Sequence, residues 1–508
     1  MRLYTNRPDF FNDISEEIRL YLPKAELEIA DISSIEDLLC VSIDSKEDSP
    51  CVSIDSKEDY IFASLTNDGE HFCASVRFRY DGVDYSYNHS TPYRNEDALA
   101  EKRYAKRCIK VAVFRCLSSA FPNAHIPWGS LTGIRPTRLL RELVKSEGET
   151  EARELMLHEF DVSPAKLVLA ARINSVQQPI LDSIKPKDVD VYVGIPFCRT
   201  RCLYCSFASQ LRTRKTDMTA YLNALKRDIS LGAEMSHSHK LKIRALYLGG
   251  GTPTILTAEE LDELLHHIIH EYDVAPETEF TVEAGRPDTI TEEKLQILLR
   301  HGITRISINP QTMCDETLKS VGRDHCAEDI INCFYTARRM GFDCINMDLI
   351  AGLPGEDHVL MEKSIAKILP LLPDCLTVHT LAVKRSSRLH EHLDEIVLPD
   401  IHEVEQMTAI GAEGAEKLRM LPYYMYRQKY MAGNMENVGY SMPDKICIYN
   451  IDMMEDALSI IAHGAGAMTK RVFPNGHRIE RVPNPKDIDT YISKIDSIDA
   501  ARRKLWAE

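Results

Sequence analysis

Val189-Asp190-Val191-Tyr192-Val193-Gly194-Ile195-Pro196-Phe197-Cys198-Arg199-Thr200-Arg201-Cys202-Leu203-Tyr204-Cys205 is the stretch on which the fold turns: an apolar strand runs straight into a loop with three thiols in eight residues. Chance puts such a spacing in roughly one chain per hundred of this cysteine content. Thiolates are the usual ligands of iron–sulfur clusters, and three of them leave one iron of a cubane open to a small molecule. A structural zinc site wants a fourth Cys or His close by, and the nearest histidines, His158 and His237, stand far off in sequence. Cys198, Cys202 and Cys205 are read as the metal ligands.

Outward from this loop the texture repeats. Strand candidates at 189–195, 243–248, 279–283, 303–308, 343–350 and 375–381 alternate with helix candidates near 218–235, 258–272, 292–300, 327–340 and 359–371. A sixfold βα alternation predicts a parallel α/β sheet with right-handed crossovers, here a partial (βα)6 TIM-like barrel. Ligands in such folds sit at the carboxyl ends of the strands. The second strand ends in Gly249-Gly250-Gly251-Thr252-Pro253-Thr254, which is expected to let the backbone approach a ligand and to leave N–H groups free for it. Glu283, Gln311 and Asp348 follow at or near the ends of the next three strands. Burying such groups unpaired is costly, so they are expected to face the ligand.

Three domains are expected: an N-terminal α+β domain over 1–160, the barrel over 186–388, and a mixed C-terminal substrate or cover domain over 389–508. In the first, helical patterns at 8–21 and 97–119 flank two or three strands within 61–87. Cys40–Asp48 recurs there as Cys51–Asp59, a local duplication rather than a solenoid. Pro127 to Pro136, with Trp128, Gly129, Gly133 and Arg135, reads as a rigid turn between domains.

Composition removes several function classes. Hydrophobic residues make up 44% and charged residues 27% of 508, and no apolar run nears the ~20 residues that cross a bilayer. The acid-rich start matches neither a secretory nor a transit leader, so a cytoplasmic protein is expected. Cys108, Cys116, Cys333 and Cys344 lie singly in apolar segments and read as buried thiols, not a disulfide framework. A net charge of -16 argues against nucleic acid as a partner. His266, His267 and His270 have metal-compatible helical spacing, but Leu264, Leu265, Ile268 and Ile269 define the buried face and leave the histidines on the polar one.

The cysteine string, the Gly-Gly-Gly-Thr-Pro-Thr turn, the stretch from Gln311 to Arg323 and Leu349-Ile350-Ala351-Gly352-Leu353-Pro354 resemble radical S-adenosylmethionine enzymes of the oxygen-independent coproporphyrinogen III oxidase type, over about 189–389. Tyr424-Met425-Tyr426-Arg427-Gln428-Lys429, Met431-Ala432-Gly433-Asn434 and Glu436-Asn437-Val438-Gly439-Tyr440 are similar to the branch named coproporphyrinogen dehydrogenase, which also has an added N-terminal domain. The resemblance implies a [4Fe–4S] cluster and one or two molecules of S-adenosylmethionine, split by an incoming electron into methionine and a 5′-deoxyadenosyl radical. It further implies that Gly250, Gly251 and Thr252 contact the methionine portion, Arg323 its carboxylate, and Glu283, Gln311 and Asp348 the amine or ribose hydroxyls. Ala382 and Tyr204 would border the adenosine, and Tyr192 would stand beside the cluster as the catalytic candidate.

The implied reaction removes a hydrogen from a porphyrinogen propionate, with loss of carbon dioxide and an electron, turning coproporphyrinogen III into protoporphyrinogen IX. The implied partners are the tetrapyrrole, a flavodoxin- or ferredoxin-like electron donor and an unidentified electron acceptor, with no nucleic acid and no membrane span. Lys384, Arg385, Arg388, Arg427 and Lys429 are candidate contacts for the polyanionic substrate. Two positions depart from the decarboxylating members: Phe207 stands where they carry a fourth Cys, and Gly194 where they carry His. The competing reading is a haem-binding, haem-delivering relative. Those proteins carry a His-Asn pair followed by an aromatic, whereas Glu436 stands here in the His position and leaves His463 as the remaining candidate ligand, although a lone His beside Gly in a turn reads more often as structural.

Overall fold

The structure, a computed structural model, describes residues 1–31, 59–93, 98–133, 135–207, 209–213, 216–428, 431, 434–474 and 478–507. The repeat over 40–48 and 51–59 lies, but for Asp59, outside the described residues, as does Lys429. The chain folds as two compact units, residues 1–133 with 142–168 and residues 134–141 with 169–508.

The first unit is built on β1 (Arg2–Thr5), β2 (Glu28–Asp31), β3 (Tyr60–Asn67), β4 (His71–Tyr80) and β5 (Val83–Pro92), in the order β2-β1-β3-β4-β5. β1 runs parallel to both neighbours, and β3, β4 and β5 form an antiparallel meander. Strict alternation along β4 buries Phe72, Ala74, Val76 and Phe78 on one face. The helices Phe11–Tyr21 and Ala98–Ala120 cover that face with Ile14, Ile18, Cys108, Ile109 and Ala112.

The second unit carries the expected alternation. Its strands are β6 (Asp188–Ile195), the short pair β7 (Phe197–Cys198) and β8 (Gln210–Leu211), then β9 (Lys242–Gly250), β10 (Glu279–Gly285), β11 (Arg305–Ile308), β12 (Cys344–Ala351) and β13 (Cys375–Thr380). The six long strands lie in chain order β6-β9-β10-β11-β12-β13, all parallel. Sequential order without a reversal is that of a barrel, not of a doubly wound sheet. The helices between them are amphipathic and capped. Ala258–Glu271 starts in a capping box of Thr257 and Glu260 and buries Leu261, Leu264, Leu265 and Ile268.

The barrel stays open because both edges are taken. β14 (Leu421–Tyr426) and β15 (Asn437–Ser441) extend the sheet beyond β13, with β15 antiparallel to it; β16 (Ile460–His463) pairs in parallel with β6 and leads to β17 (Met468–Val472) and β18 (Ile479–Pro483). Residues 389–508, expected as a cover domain, thus add strands to both edges of an eleven-stranded sheet. Tyr192 and Tyr247 stack inside it with Tyr449 from the helix Ile448–Met454, at centroid separations of 6.3, 6.5 and 4.6 Å. Among the described residues no helix is long and apolar enough to cross a membrane.

Candidate active site

Where β6 ends, the cysteine loop is stitched to the glycine turn that follows β9. Gly251 N–H donates to the Ile195 carbonyl at 2.8 Å, and Thr252 N–H to that of Phe197 at 2.9 Å. The N–H groups expected to be free for a ligand are therefore engaged. What the glycines supply is closeness: a Cβ on Gly251 would stand 2.6 Å from the Phe197 carbonyl oxygen and 2.9 Å from Cys198 Sγ. The Thr252 hydroxyl donates to Cys198 Sγ at 3.7 Å, and Cys205 N–H closes a turn on the Cys202 carbonyl at 3.1 Å. All three cysteines are free thiols, and burial pushes that of Cys205 up. Among the described residues no three His, Cys, Asp or Glu converge on one ion. A cluster, where each thiolate meets its own iron, asks for a wider set of donors.

The polar residues of the next three strands each have neighbours of their own. Glu283 on β10 accepts from the Tyr247 hydroxyl at 2.7 Å, and burial, helped by the charge of Asp348, pushes its carboxyl up to about 7. Burial would also raise Asp348, but His379, with Asn346 and Thr377, holds it below the ordinary value. Gln311 is held by both backbone groups, its N–H on the Asp348 carbonyl at 2.8 Å and its carbonyl accepting from Ile350 at 2.9 Å, at a φ of 69°. A non-glycine residue kept in the left-handed region is held there by its surroundings. Its Oε1 is buried without a partner, as is Asn309 Oδ1. An unpaired buried acceptor costs free energy until a donor arrives, and both therefore fit a ligand bearing N–H or O–H groups. Arg323, 6% exposed, donates to the Asn309 carbonyl at 2.6 Å and to the Tyr204 hydroxyl at 3.3 Å. Ala382 leaves β13 in a bridge to Met431.

A cavity of about 320 Å³ opens beside the glycine turn. It brings together Tyr192, Gly250, Gly251 and Glu283, while Gln311, Arg323, Asp348, Tyr204, Thr252 and Ala382 are not on its wall. Both departures from the decarboxylating pattern are on that wall. Phe207 is 65% exposed, and a Cβ on Gly194 would meet the Tyr192 ring at 3.2 Å, so a side chain there would narrow the cavity. Lys384, Arg385, Arg388 and Arg427 do not line it; Arg427 is buried and donates to the Asn434 carbonyl at 3.2 Å. Lys486 lines it instead. Sequence reading missed Tyr247, His379 and Lys486. A Tyr two residues before a glycine turn was a usable signal for the first; Lys486 had none.

His463 is not a haem ligand. It is fully buried between Tyr272 OH at 2.6 Å and Asp228 Oδ1 at 3.2 Å, with its ring against Gly232. Asn437 is engaged as well, accepting the Thr380 N–H at 2.8 Å and so tying β15 to β13.

Residues 192–368 match the Radical SAM superfamily. The Bacillus subtilis (strain 168) oxygen-independent coproporphyrinogen-III oxidase-like protein HemZ is 37% identical over 440 residues, 85% of this chain and 87% of its own. The heme chaperone HemW of Lactococcus lactis is 30% identical over 267 residues, 49% of this chain and 68% of its own. Among solved structures, the Escherichia coli coproporphyrinogen III oxidase HemN, a radical SAM enzyme, superposes with a TM-score of 0.51 at 21% identity, over 65% of this chain and 77% of that one, a likeness of fold. With an open parallel barrel, a three-thiol loop at its mouth and a relative matched over most of both lengths, the chain belongs to the radical SAM superfamily, among its oxygen-independent coproporphyrinogen III oxidase-like members.

Proposed function

We propose that the chain catalyses the oxygen-independent oxidative decarboxylation of coproporphyrinogen III to protoporphyrinogen IX. The observation that carries this is the cysteine loop, locked to a glycine turn beside a cavity floored by Glu283, in a chain 37% identical to a coproporphyrinogen-III oxidase-like protein. Membership of the superfamily implies a [4Fe–4S] cluster and S-adenosylmethionine. When bound, they supply a carbon-centred radical, at the cost of one electron from a flavodoxin- or ferredoxin-like donor.

The chain's residues position and desolvate. Cys198, Cys202 and Cys205 would hold the cluster, and the absence of a side chain at Gly250 and Gly251 would let the methionine portion lie against the turn. Glu283, whose raised carboxyl a bound ammonium would ionise, and ionised Asp348 would take the amine and the ribose hydroxyls, joined by the unpaired oxygens of Gln311 and Asn309. Arg323 would offer its positive charge to the carboxylate, and Tyr204 and the Ala382 backbone would border the adenosine. Tyr192, stacked on Tyr247 and Tyr449, walls the reacting centre from water. Residues 389–508 cover the substrate.

A second reading, haem binding and delivery without decarboxylation, is favoured by one observation: Phe207 and Gly194, where the decarboxylating members carry Cys and His, both face the cavity. An anaerobic assay of the reconstituted protein with S-adenosylmethionine, a strong reductant and coproporphyrinogen III separates the two. Two decarboxylations read by porphyrin mass support the oxidase. Deoxyadenosine with unchanged porphyrin overturns it in favour of haem delivery, and no deoxyadenosine from an intact cluster overturns the radical chemistry.

A further inference from the structure

We propose that Lys486 is the anion anchor of the cavity, taking a carboxylate of a bound small molecule at its mouth; the inference deepens the reading above and rests on the cavity being the ligand site. Exposure sets the orientation: Glu283 is half-buried, whereas Lys486 and Phe207 are exposed. Lys486 is the one cationic side chain among the lining residues, whose apolar members include Pro196, Phe207, Ala465 and Ala467. Partly apolar walls, with Ser206 and Ser209 among them, the Glu283 carboxyl at the other end and one cation at the rim suit a ligand that presents a negative charge at the mouth. A volume of about 320 Å³ admits one edge of a macrocycle, a ring with its carboxyethyl arm, rather than the whole.

Among the described residues no carboxylate pairs with the ammonium, and its neighbour Asp487 is engaged in capping, accepting from the N–H and the hydroxyl of Thr490 at 2.9 and 2.7 Å. The backbone beneath Lys486 is fixed to the loop of residues 464–467 that follows β16. Asn484, 4% exposed, donates through Nδ2 to the Gly464 carbonyl at 2.8 Å and through its N–H to that of Ala467 at 2.8 Å. Gly466 N–H donates to the Pro485 carbonyl at 2.8 Å, and the Lys486 stem lies over Gly466, where a Cβ would meet its Cγ at 3.8 Å.

The Gly464 end of that loop is clamped in turn. Gly464 N–H donates to Asp228 at 3.2 Å, and Tyr221 OH donates to the Gly194 carbonyl at 2.8 Å while accepting from Ala465 N–H at 3.4 Å. At a φ of 100°, Gly464 lies so close to the Gly194 carbonyl that any side chain would collide with it. A lysine whose base is held this way loses less freedom on binding than one on a free loop. The carboxylate it meets comes from one of two sources, the macrocycle's carboxyethyl arm or the methionine portion of S-adenosylmethionine.

The test is equilibrium binding to the full-length, cluster-reconstituted protein under anaerobic conditions. The probes are coproporphyrin III, its tetramethyl ester and S-adenosylmethionine, each against wild type, Lys486→Met and Lys486→Arg, with cluster absorption confirming the fold of each variant. A charge-assisted contact at a rim predicts about tenfold weaker binding of one free acid to Lys486→Met. Lys486→Arg should recover most of that loss, and the ester should bind all three proteins alike. A loss confined to coproporphyrin assigns the carboxyethyl arm, and one confined to S-adenosylmethionine assigns the methionine carboxylate. Equal affinities of Lys486→Met and wild type for both acids overturn the anchor. A wild type that binds no porphyrin counts against the proposed substrate, leaving the S-adenosylmethionine arm to decide on Lys486.

Discussion

Glu283 carries its carboxyl buried against Tyr247, pushed up to about 7 from the ordinary 4.5. Between those values the folded apoprotein binds a proton that the unfolded chain has released. The stabilisation is complete below the unfolded pKa and is lost as pH rises through about 7. Denaturant unfolding of the apoprotein at pH 5 and at pH 7.5 should show this fall, and Glu283→Gln should remove of order 3 kcal/mol of it. Equal pH slopes in both proteins would show that Glu283 is solvated. The same group gives the opposite sign for a bound ammonium: S-adenosylmethionine affinity should rise with pH through 7 in wild type and stay flat in Glu283→Gln. Cys198, Cys202 and Cys205 make a blunter prediction. Ala at any one should leave less than a full cluster's iron after reconstitution, and iron analysis showing no loss would remove that thiol from the ligand set.

The glycine turn after β9 shows what an element can and cannot reveal in sequence. That the turn approaches something closely was legible from three consecutive glycines; that its N–H groups are engaged was not, because their acceptors, Ile195 and Phe197, come from another strand. The six parallel strands were legible for a related reason. Strands buried on both faces are continuous apolar runs, and the helices between them declare themselves by period and cap, as Thr257 and Glu260 do. Gly251→Ala tests the turn. With a Phe197 carbonyl oxygen 2.6 Å and a thiol 2.9 Å from the new methyl, the cysteine loop must shift. Overpacking of this kind costs about 1–3 kcal/mol. The expected outcome is a cluster that assembles poorly, read as iron per chain, in a protein whose circular dichroism is unchanged; full iron occupancy would mean that the turn does not support the loop.

Over the whole chain, least was legible in residues 389–508. They leave the barrel at β13, add β15 and β14 beside it, then cross to the far edge, where Ile460 pairs with Asp190. Pairings across hundreds of residues have no local signature, so Lys486 could not be placed at the cavity, while Arg385 and Arg388, adjacent to the sixth strand, looked nearer to it than they are. The long return is held by a buried ionic cluster. Asp228, on the helix Thr219–Ser238, accepts from Arg502 at 2.5 Å and Tyr491 at 2.8 Å and meets His463 at 3.2 Å. Burial would raise its carboxyl, but the charge of Arg502, with the contact to His463, wins and holds it well below the ordinary value. Its contribution is therefore present above the unfolded pKa and lost as pH falls through the acid range. Asp228→Asn leaves the Arg502 charge buried and uncompensated, which should cost about 3–5 kcal/mol at neutral pH. The variant's stability should also fall less steeply on acidification, since the carboxylate that titrates is gone. Hydrogen exchange should quicken first over 462–467, whose Gly464 N–H loses its charged acceptor. A loss below about 1 kcal/mol, with that loop as protected as in wild type, would mean that strand pairing alone holds the C-terminal return against the barrel and that Asp228 is dispensable.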